Sequence, residues 1–293
     1  MRAGAGAVLI AGPTASGKSR LALELARQRN GIVINADSMQ VYHELRVLTA
    51  RPTPAEEAEV PHRLYGHVAA GMRYSVGTWL RDVEAVLMEV RTAGRTAIIV
   101  GGTGLYFKAL TEGLSAIPAI LPEVRERVLA EAAGVASADL HARLAATDAE
   151  DAAAIRPSDR ARIVRALEVF EATGRPIAVW QRSGGAPVIA IEGAERIVLD
   201  IDRAVLHRRI ADRIRKMLDE GALEEARALA ALGLPADMSL MKAIGVRELL
   251  DHLAGRQSLD QAMEAMATAT RRFARRQETW FRNQMADWTR MRT

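Results

Sequence analysis

The stretch Gly12-Pro13-Thr14-Ala15-Ser16-Gly17-Lys18-Ser19 fits the pattern G-x-x-x-x-G-K-[ST]. The two glycines let successive backbone N–H groups turn toward one point, Lys18 brings a positive charge to it, and the Ser19 hydroxyl can ligate Mg²⁺. These eight residues are therefore a candidate phosphate cradle, with Ser19 as the candidate metal ligand. The pattern specifies a phosphate; it does not specify which phosphate or which bond breaks. A second candidate is Asp37, a carboxylate that follows the apolar run Gly31 to Ala36. It could ligate a metal or cap a helix, or it could act as general base toward a nucleophile lying over the phosphates. Position alone leaves both roles open.

A phosphate loop needs a strand before it and a helix after it. Ala7 to Ala11 is a short apolar run, and Leu21, Ala22, Leu25 and Ala26 recur with helical spacing after the loop. Gly31 to Ala36 and Ala97 to Val100 read as buried strands, separated by a helical pattern over Val76 to Val90. Strands alternating with helices pair in parallel, so the expected class is α/β, a P-loop NTPase-like doubly wound parallel sheet. The third strand ends in Gly101-Gly102-Thr103 instead of the acidic residue common in P-loop NTPases, whereas Asp37-Ser38 follows the second. That places a carboxylate at the carboxyl edge of the sheet, where such folds bind ligands. From Pro122 to Gly174 only helical patterns occur. Arg196 to Ile201 then reads as a strand, followed by helical patterns over 204–218, 223–232, 240–253 and 259–280. The expected organisation is a catalytic core from residues 1–113 and 196–293, ending in a helical C-terminal region, and a mainly helical insertion over 114–195.

The 293 residues are 49% hydrophobic and contain no cysteine, which excludes disulfides, thiolate catalysis and cysteine-held zinc. No apolar run approaches the ~18 residues of a membrane span, and no cationic leader precedes an apolar stretch, so no membrane association and a cytoplasmic location are expected. The formal charge is +4. Seven arginines between Arg271 and Thr293 face only Glu278 and Asp287; a second group, Arg203, Arg208, Arg209, Arg213, Arg215 and Lys216, faces Asp202 and Asp212. Such clusters suit a polyanion, through counterion release, or make a solvated helix face.

Nine stretches carry a resemblance: GPTASGKS (12–19), NADSMQVY (35–42), TARP (49–52), PHRL (61–64), VGGTGLYFKAL (100–110), RARIVRALEVF (160–170), LHRRI (206–210), KAIGVREL (242–249) and RRFARRQETWFR (271–282). With these in this order, the chain resembles the tRNA dimethylallyltransferases, also called tRNA isopentenyltransferases, along nearly its whole length. The resemblance implies that the P-loop holds the diphosphate of dimethylallyl diphosphate, with Mg²⁺ as cofactor. The implied acceptor is N6 of the adenosine just 3′ of the anticodon. It further implies that Asp37 is the base on N6 and that Thr103 and Arg209 hold the departing diphosphate. Contacts to the tRNA anticodon stem-loop are implied for Asp37, Ser38, Met39, Gln40, Thr103, Arg125, Ala161, Arg162, Ile163, Val164, Arg165, Lys242, Ala243, Ile244, Gly245, Val246 and Arg247. The insertion would clasp the anticodon stem, and a monomer is expected.

For Arg160, Arg162 and Arg165 the plainer reading is a charged helix face paired with Glu168 and Glu171. Leu105, Tyr106 and Phe107 are assigned to core rather than to an isoprenoid slot. Two departures from the family pattern stand out, Arg51 where lysine is usual and Tyr65-Gly66-His67 where a leucine-isoleucine-aspartate run is usual. Two rival functions are a P-loop kinase of a nucleoside or small metabolite, which predicts ATP consumption, and a non-catalytic nucleotide-regulated RNA-binding protein. The second accounts for the arginines and the loop but leaves Asp37, Thr103 and Arg209 without work.

Overall fold

The structure, a computed structural model, describes residues 6–293. The elements run β1 (Ala7–Ala11), α1 (Lys18–Gln28), β2 (Gly31–Asn35), α2 (Pro54–Glu59), β3 (His62–Arg63), α3 (Val76–Thr92), β4 (Thr96–Gly101) and α4 (Gly104–Glu112). Helices α5 (Pro122–Ala132), α6 (Ser137–Thr147), α7 (Ala149–Ala154), α8 (Arg160–Thr173) and α9 (Ile177–Arg182) follow. The chain closes with β5 (Ala194–Asp200), α10 (Arg203–Asp219), α11 (Ala222–Ala231), α12 (Val246–Leu253), α13 (Leu259–Gln284) and β6 (Thr289–Arg292). The described residues form two compact units, 6–111 with 188–293, and 112–187.

In the first unit the six strands found among the described residues form one parallel sheet in the order β3-β2-β4-β1-β5-β6. Strands β1, β2 and β4 are nearly continuous apolar runs because both faces of a parallel sheet are covered. Period-two alternation divides their side chains. Val8, Ile10, Val33 and Ile98 pack with Ala22, Leu23 and Ala26 of α1, while Leu9, Ile34 and Ile99 pack with Trp79 and Val83 of α3, Phe107 of α4 and Phe281 of α13. A third cluster joins α10, α11, α12 and α13 to Val41, Leu45 and Leu48. The order also decides the neighbours of the phosphate loop, since β1 lies between β4 and β5 and its last residue, Ala11, pairs with Gly101 on one side and Val198 on the other.

Three features differ from the sequence expectation. β6 gives no apolar signal because it is an arginine-bearing edge strand whose residues are all exposed; the ladder to β5 alone defines it. β3 has two residues, too few for a periodic pattern. The expected helix over 240–253 is broken: a 3-10 turn covers Ser239–Lys242, Gly245 takes φ 100°, and α12 starts at Val246. The positive φ is what favours glycine at 245; a Cβ there would also lie 2.7 and 2.9 Å from Leu48 Cδ2 and Met266 Cε and would displace those side-chain tips.

The second unit is helical, around Val128, Leu140, Leu144, Ile163 and Leu167. It buries two carboxyls, Asp148 (6% exposed) and Asp151 (3%). Asp148 Oδ1 caps α7 by accepting from Asp151 N at 3.0 Å, and the Asp151 carboxylate accepts from the amides of Ile177 (2.9 Å) and Ala178 (3.2 Å) at the start of α9. Asp148 Oδ2 has no partner among the described residues. Burial, then the neighbouring Asp148 carboxyl, push Asp151 up to about 6, against the pull of the two amides.

A carboxyl whose pKa is raised on folding stabilises most fully below its ordinary value of 3.8, and that contribution is lost as the pH climbs through about 6. Asp148→Asn keeps a capping oxygen and removes the repulsion. Thermal unfolding at pH 7 should show a gain of about 1 kcal/mol for this variant, shrinking toward zero near pH 4. An unchanged or lower melting temperature at pH 7 would show that the pair carries no strain.

Candidate active site

The loop between β1 and α1 closes on itself. Ser16 N donates to Pro13 O at 3.2 Å, Ala15 and Gly17 take φ 61° and 94°, and Lys18 Nζ donates to Pro13 O at 3.3 Å. Burial pushes Lys18 down to about 8; the charge of Asp37 opposes this and that of Arg213 adds to it. Ser16 Oγ is fully buried with no partner among the described residues. Two cationic side chains of α10 converge on the loop. Arg209 donates to Ser16 O at 3.3 Å, and Arg213, whose charge burial disfavours, is compensated by Asp37.

Asp37 is held by its neighbours before any substrate enters. Asn35, fully buried at the end of β2, accepts from Asp37 N at 2.8 Å and donates to Asp37 O at 2.9 Å and Leu64 O at 3.0 Å. Met39 N donates to Asp37 Oδ1 at 2.9 Å, which leaves Oδ2 without a hydrogen bond among the described residues. Thr103 is bound into the same segment: its N donates to Ala36 O (3.1 Å) and its Oγ1 accepts from Ser38 N (3.0 Å). Strands β2 and β4 can approach this closely because position 101 is glycine; a Cβ there would fall 2.0 Å from Ala36 O.

A cavity of about 280 Å³ brings Thr14 of the loop together with Asp37, Ser38, Met39, Arg213, Lys242, Ala243 and Ile244. Its apolar wall is Leu48, Ile210, Ile214, Met217, Met266 and Phe273. Thr103 is tied to this space through Ser38, whereas Arg209 bonds the loop at the Ser16 carbonyl, and neither Arg209 nor Ser16 lines the cavity. Gln40 lies behind it, donating to Thr49 O and Ala50 O, both at 2.9 Å. Gly245 forms the helix break, Val246 is buried in the core, and Arg247 points outward beside Asp251. Tyr106 and Phe107 lie in the core beneath the sheet, whereas Leu105 is 44% exposed. An adjoining pocket of about 470 Å³ carries Ser19 with Arg46, Arg51, Tyr65, Lys216 and again Arg213.

The remaining predicted residues lie in the helical unit. Ala161, Arg162, Arg165 and Arg125 are exposed, while Ile163 and Val164 point into that unit's core. Arg165 pairs with Glu168 at 3.2 Å and Arg125 approaches the same carboxylate at 3.7 Å. Arg162 pairs with Asp159; Arg160 donates to the carbonyls of Val135 and Ala132; and Glu171 pairs with Arg127. The charged-face reading therefore holds for Arg165, while Arg160 serves as a tie between helices.

The two basic clusters of the first unit meet in a groove of about 830 Å³, with Pro13 at its edge, Arg203 and His207 from α10, and Arg271, Arg272, Arg275 and Arg282 from α13. Among the described residues Arg203, Arg272, Arg275 and Arg282 form no ion pair, whereas Arg271 pairs with Glu264.

In the sequence Asn35 and Gln277 stand only inside longer motifs and Arg213 only as one member of a basic cluster; none of the three has a site role there. Gln277 accepts from Thr14 N at 2.9 Å and donates to Gly102 O at 2.9 Å, joining the phosphate loop to the end of β4. Its signal was spacing, since Ala274, Gln277 and Phe281 share the buried face of α13. A phosphate cradle that opens on a carboxylate held between two parallel strands defines a P-loop protein built for group transfer.

Comparison with known proteins narrows the class. Residues 40–284 match the family described as IPP transferase, and residues 5–73 match the one described as isopentenyl transferase. The tRNA dimethylallyltransferase of Agrobacterium fabrum is 56% identical over 97% of this chain and 96% of its own, and that of Azorhizobium caulinodans is 54% identical over 97% and 91%. The tRNA isopentenylpyrophosphate transferase structure from Bacillus halodurans superposes with TM-score 0.70 at 33% identity, covering 98% of this chain and 90% of that one. A eukaryotic dimethylallyltransferase acting on tRNA superposes with TM-score 0.82 at 26% identity, covering 98% and 73%. The chain belongs to the tRNA dimethylallyltransferase family and is a prenyl-transferring enzyme.

Replacing Gln277 by alanine would leave Thr14 N–H and Gly102 C=O without their partner. The expected cost is about 2 kcal/mol, seen as a lower melting temperature and as roughly tenfold weaker diphosphate binding by calorimetry. Wild-type affinity in a folded Gln277→Ala protein would mean that the loop holds its shape unaided.

Proposed function

We propose that this enzyme transfers a dimethylallyl group from dimethylallyl diphosphate to N6 of the adenosine 3′ of the anticodon in tRNA, releasing diphosphate. One observation carries the reading: Asp37, with Oδ2 unengaged, shares a cavity with the phosphate loop, basic on one side and apolar on the other. A kinase acting on a hydroxyl would have no use for the wall of Ile210, Ile214, Met266 and Phe273, whereas a five-carbon allylic chain would.

In the reaction the bond from N6 to the allylic carbon forms and the carbon–oxygen bond to diphosphate breaks. The exocyclic amine is a weak nucleophile because its lone pair is delocalised into the ring, and Asp37 Oδ2 takes its proton as the new bond forms. The larger electrostatic task is the charge that accumulates on the departing diphosphate. Lys18, Arg213 and the loop amides face that charge, Arg209 steadies the loop through Ser16, and Thr103 keeps Asp37-Ser38 in place.

Ser19 suits Mg²⁺: the donor offered here is one hydroxyl beside a basic pocket, and no group of three His, Asp or Glu side chains lies together among the described residues. That donor set fits an ion that keeps waters and takes phosphate oxygens as its other ligands. When bound, Mg²⁺ would neutralise part of the diphosphate charge.

The unpaired arginines of the groove provide for the tRNA backbone, as do Arg125 and Arg165 of the helical unit. A splayed-out base entering above the loop is the mode expected for single-stranded RNA. Among the described residues no helix is long and apolar enough to cross a membrane. We take the chain to act in the cytoplasm, as a monomer.

Incubation with labelled dimethylallyl diphosphate and unmodified tRNA should move label to tRNA, with none transferred from labelled ATP. Asp37→Ala should retain tRNA binding while turnover falls by roughly two to three orders of magnitude. Undiminished transfer by that variant would rule out the base assignment.

A further inference from the structure

Glu225, in the first turn of α11, lines neither the cavity nor the pocket, yet three consecutive backbone amides converge on its carboxylate. Oε1 accepts from Arg46 N at 2.6 Å and Val47 N at 2.9 Å, and Oε2 accepts from Leu48 N at 2.7 Å. Short bonds from several N–H groups to one anion are of the charge-assisted kind, stronger than neutral pairs.

The loop so gathered is a partition. Leu48 and Thr49 line the Asp37 cavity, while Arg46, Val47, Ala50 and Arg51 line the pocket that carries Ser19. Its fold is completed by turns anchored on the same residues: Ala50 N donates to Val47 O and Arg51 N to Arg46 O, both at 2.9 Å, and Ala50 takes φ 48°. The product of that geometry is a pair of carbonyls, Thr49 O and Ala50 O, aimed at Gln40 Nε2. Gln40 in turn follows Asp37, Ser38 and Met39 directly, and its own carbonyl accepts from Gly66 N at 2.9 Å. Leu48 also packs on Gly245, so the segment Lys242 to Gly245 leans on this wall from the other side.

We propose that Glu225 is a positioning residue for the transfer reaction, acting through the 46–51 partition on Gln40 and hence on the tRNA-facing side of the Asp37 cavity; the inference rests on the reading of that cavity given above. Glutamine at 225 has nearly the same shape, but its NH₂ cannot accept from an amide. At least one of the three backbone N–H groups then loses its partner and the loop relaxes.

The test is a double-mutant cycle on the full chain, with transfer assayed from dimethylallyl diphosphate to unmodified tRNA. Glu225→Gln and Gln40→Ala should each raise the KM for tRNA about tenfold, the factor equivalent to one charge-assisted hydrogen bond, with kcat within about threefold. The double variant should rise no further than either single one, because the two side chains act in series. Glu224→Gln, at an exposed neighbour whose one ion pair among the described residues is with Arg227, should behave as wild type. Should Glu225→Gln not purify folded, Glu225→Asp takes its place, its shorter carboxylate meeting fewer amides. A product of the two single effects in the double variant, or wild-type KM in Glu225→Gln, overturns this inference alone. A wild-type chain that transfers nothing overturns the reading of the cavity and this inference with it.

Discussion

Everything in the first unit turns on holding like charges together. The Asp37 carboxylate shares one cavity with Thr14 of the phosphate-type loop, and any anion held by that loop would repel it strongly in a poorly solvated site. Lys18 and Arg213 are the counterweight. Each loses some preference for its charged form through burial, and each recovers part of it from Asp37. The loop, the second strand and α10 therefore cannot be adjusted independently, because moving any one of them would leave a partly buried charge uncompensated.

The protein meets that constraint mainly with amide groups. Asn35 brackets Asp37 from both sides of its peptide, Gln277 joins the phosphate loop to Gly102, and Gln40 spans to the carbonyls of Thr49 and Ala50. Neutral amides can donate and accept at once, so they fix backbone geometry without adding to a crowded electrostatic balance. The one ionised member of this scaffold, Glu225, has its charge met by three N–H groups at a distance from the cavity. Cationic side chains left unpaired are collected elsewhere, in the groove of α10 and α13, where a polyanion can supply the counter-charge.

The helical unit follows a different logic. Its core is small, and two of its surface arginines, Arg125 and Arg165, face one buried acid, Glu168, which is 4% exposed. A guanidinium pre-oriented in this way loses less freedom when it meets a phosphate. The same unit tolerates the Asp148–Asp151 pair, whose mutual repulsion is offset by the amides that open α9.

The phosphate loop, the parallel sheet, the position of Asp37 and the family were all legible in the residues. Glycine spacing, apolar runs and motif order are local properties, and local sterics and hydration fix their consequences. What the sequence could not determine were the relations between distant residues. Gln277 reads as one polar position in an arginine-rich helix until α13 lies on the loop 263 residues away in sequence. Arg203 and Arg282 belong to separate clusters until one groove gathers them. β6 exists only because β5 supplies a ladder for it, and the break at Gly245 places that residue against Leu48 and Met266, contacts distant in sequence. Each of these is decided by packing and hydrogen-bond satisfaction across the fold, energies that no window of sequence contains until the partners have met.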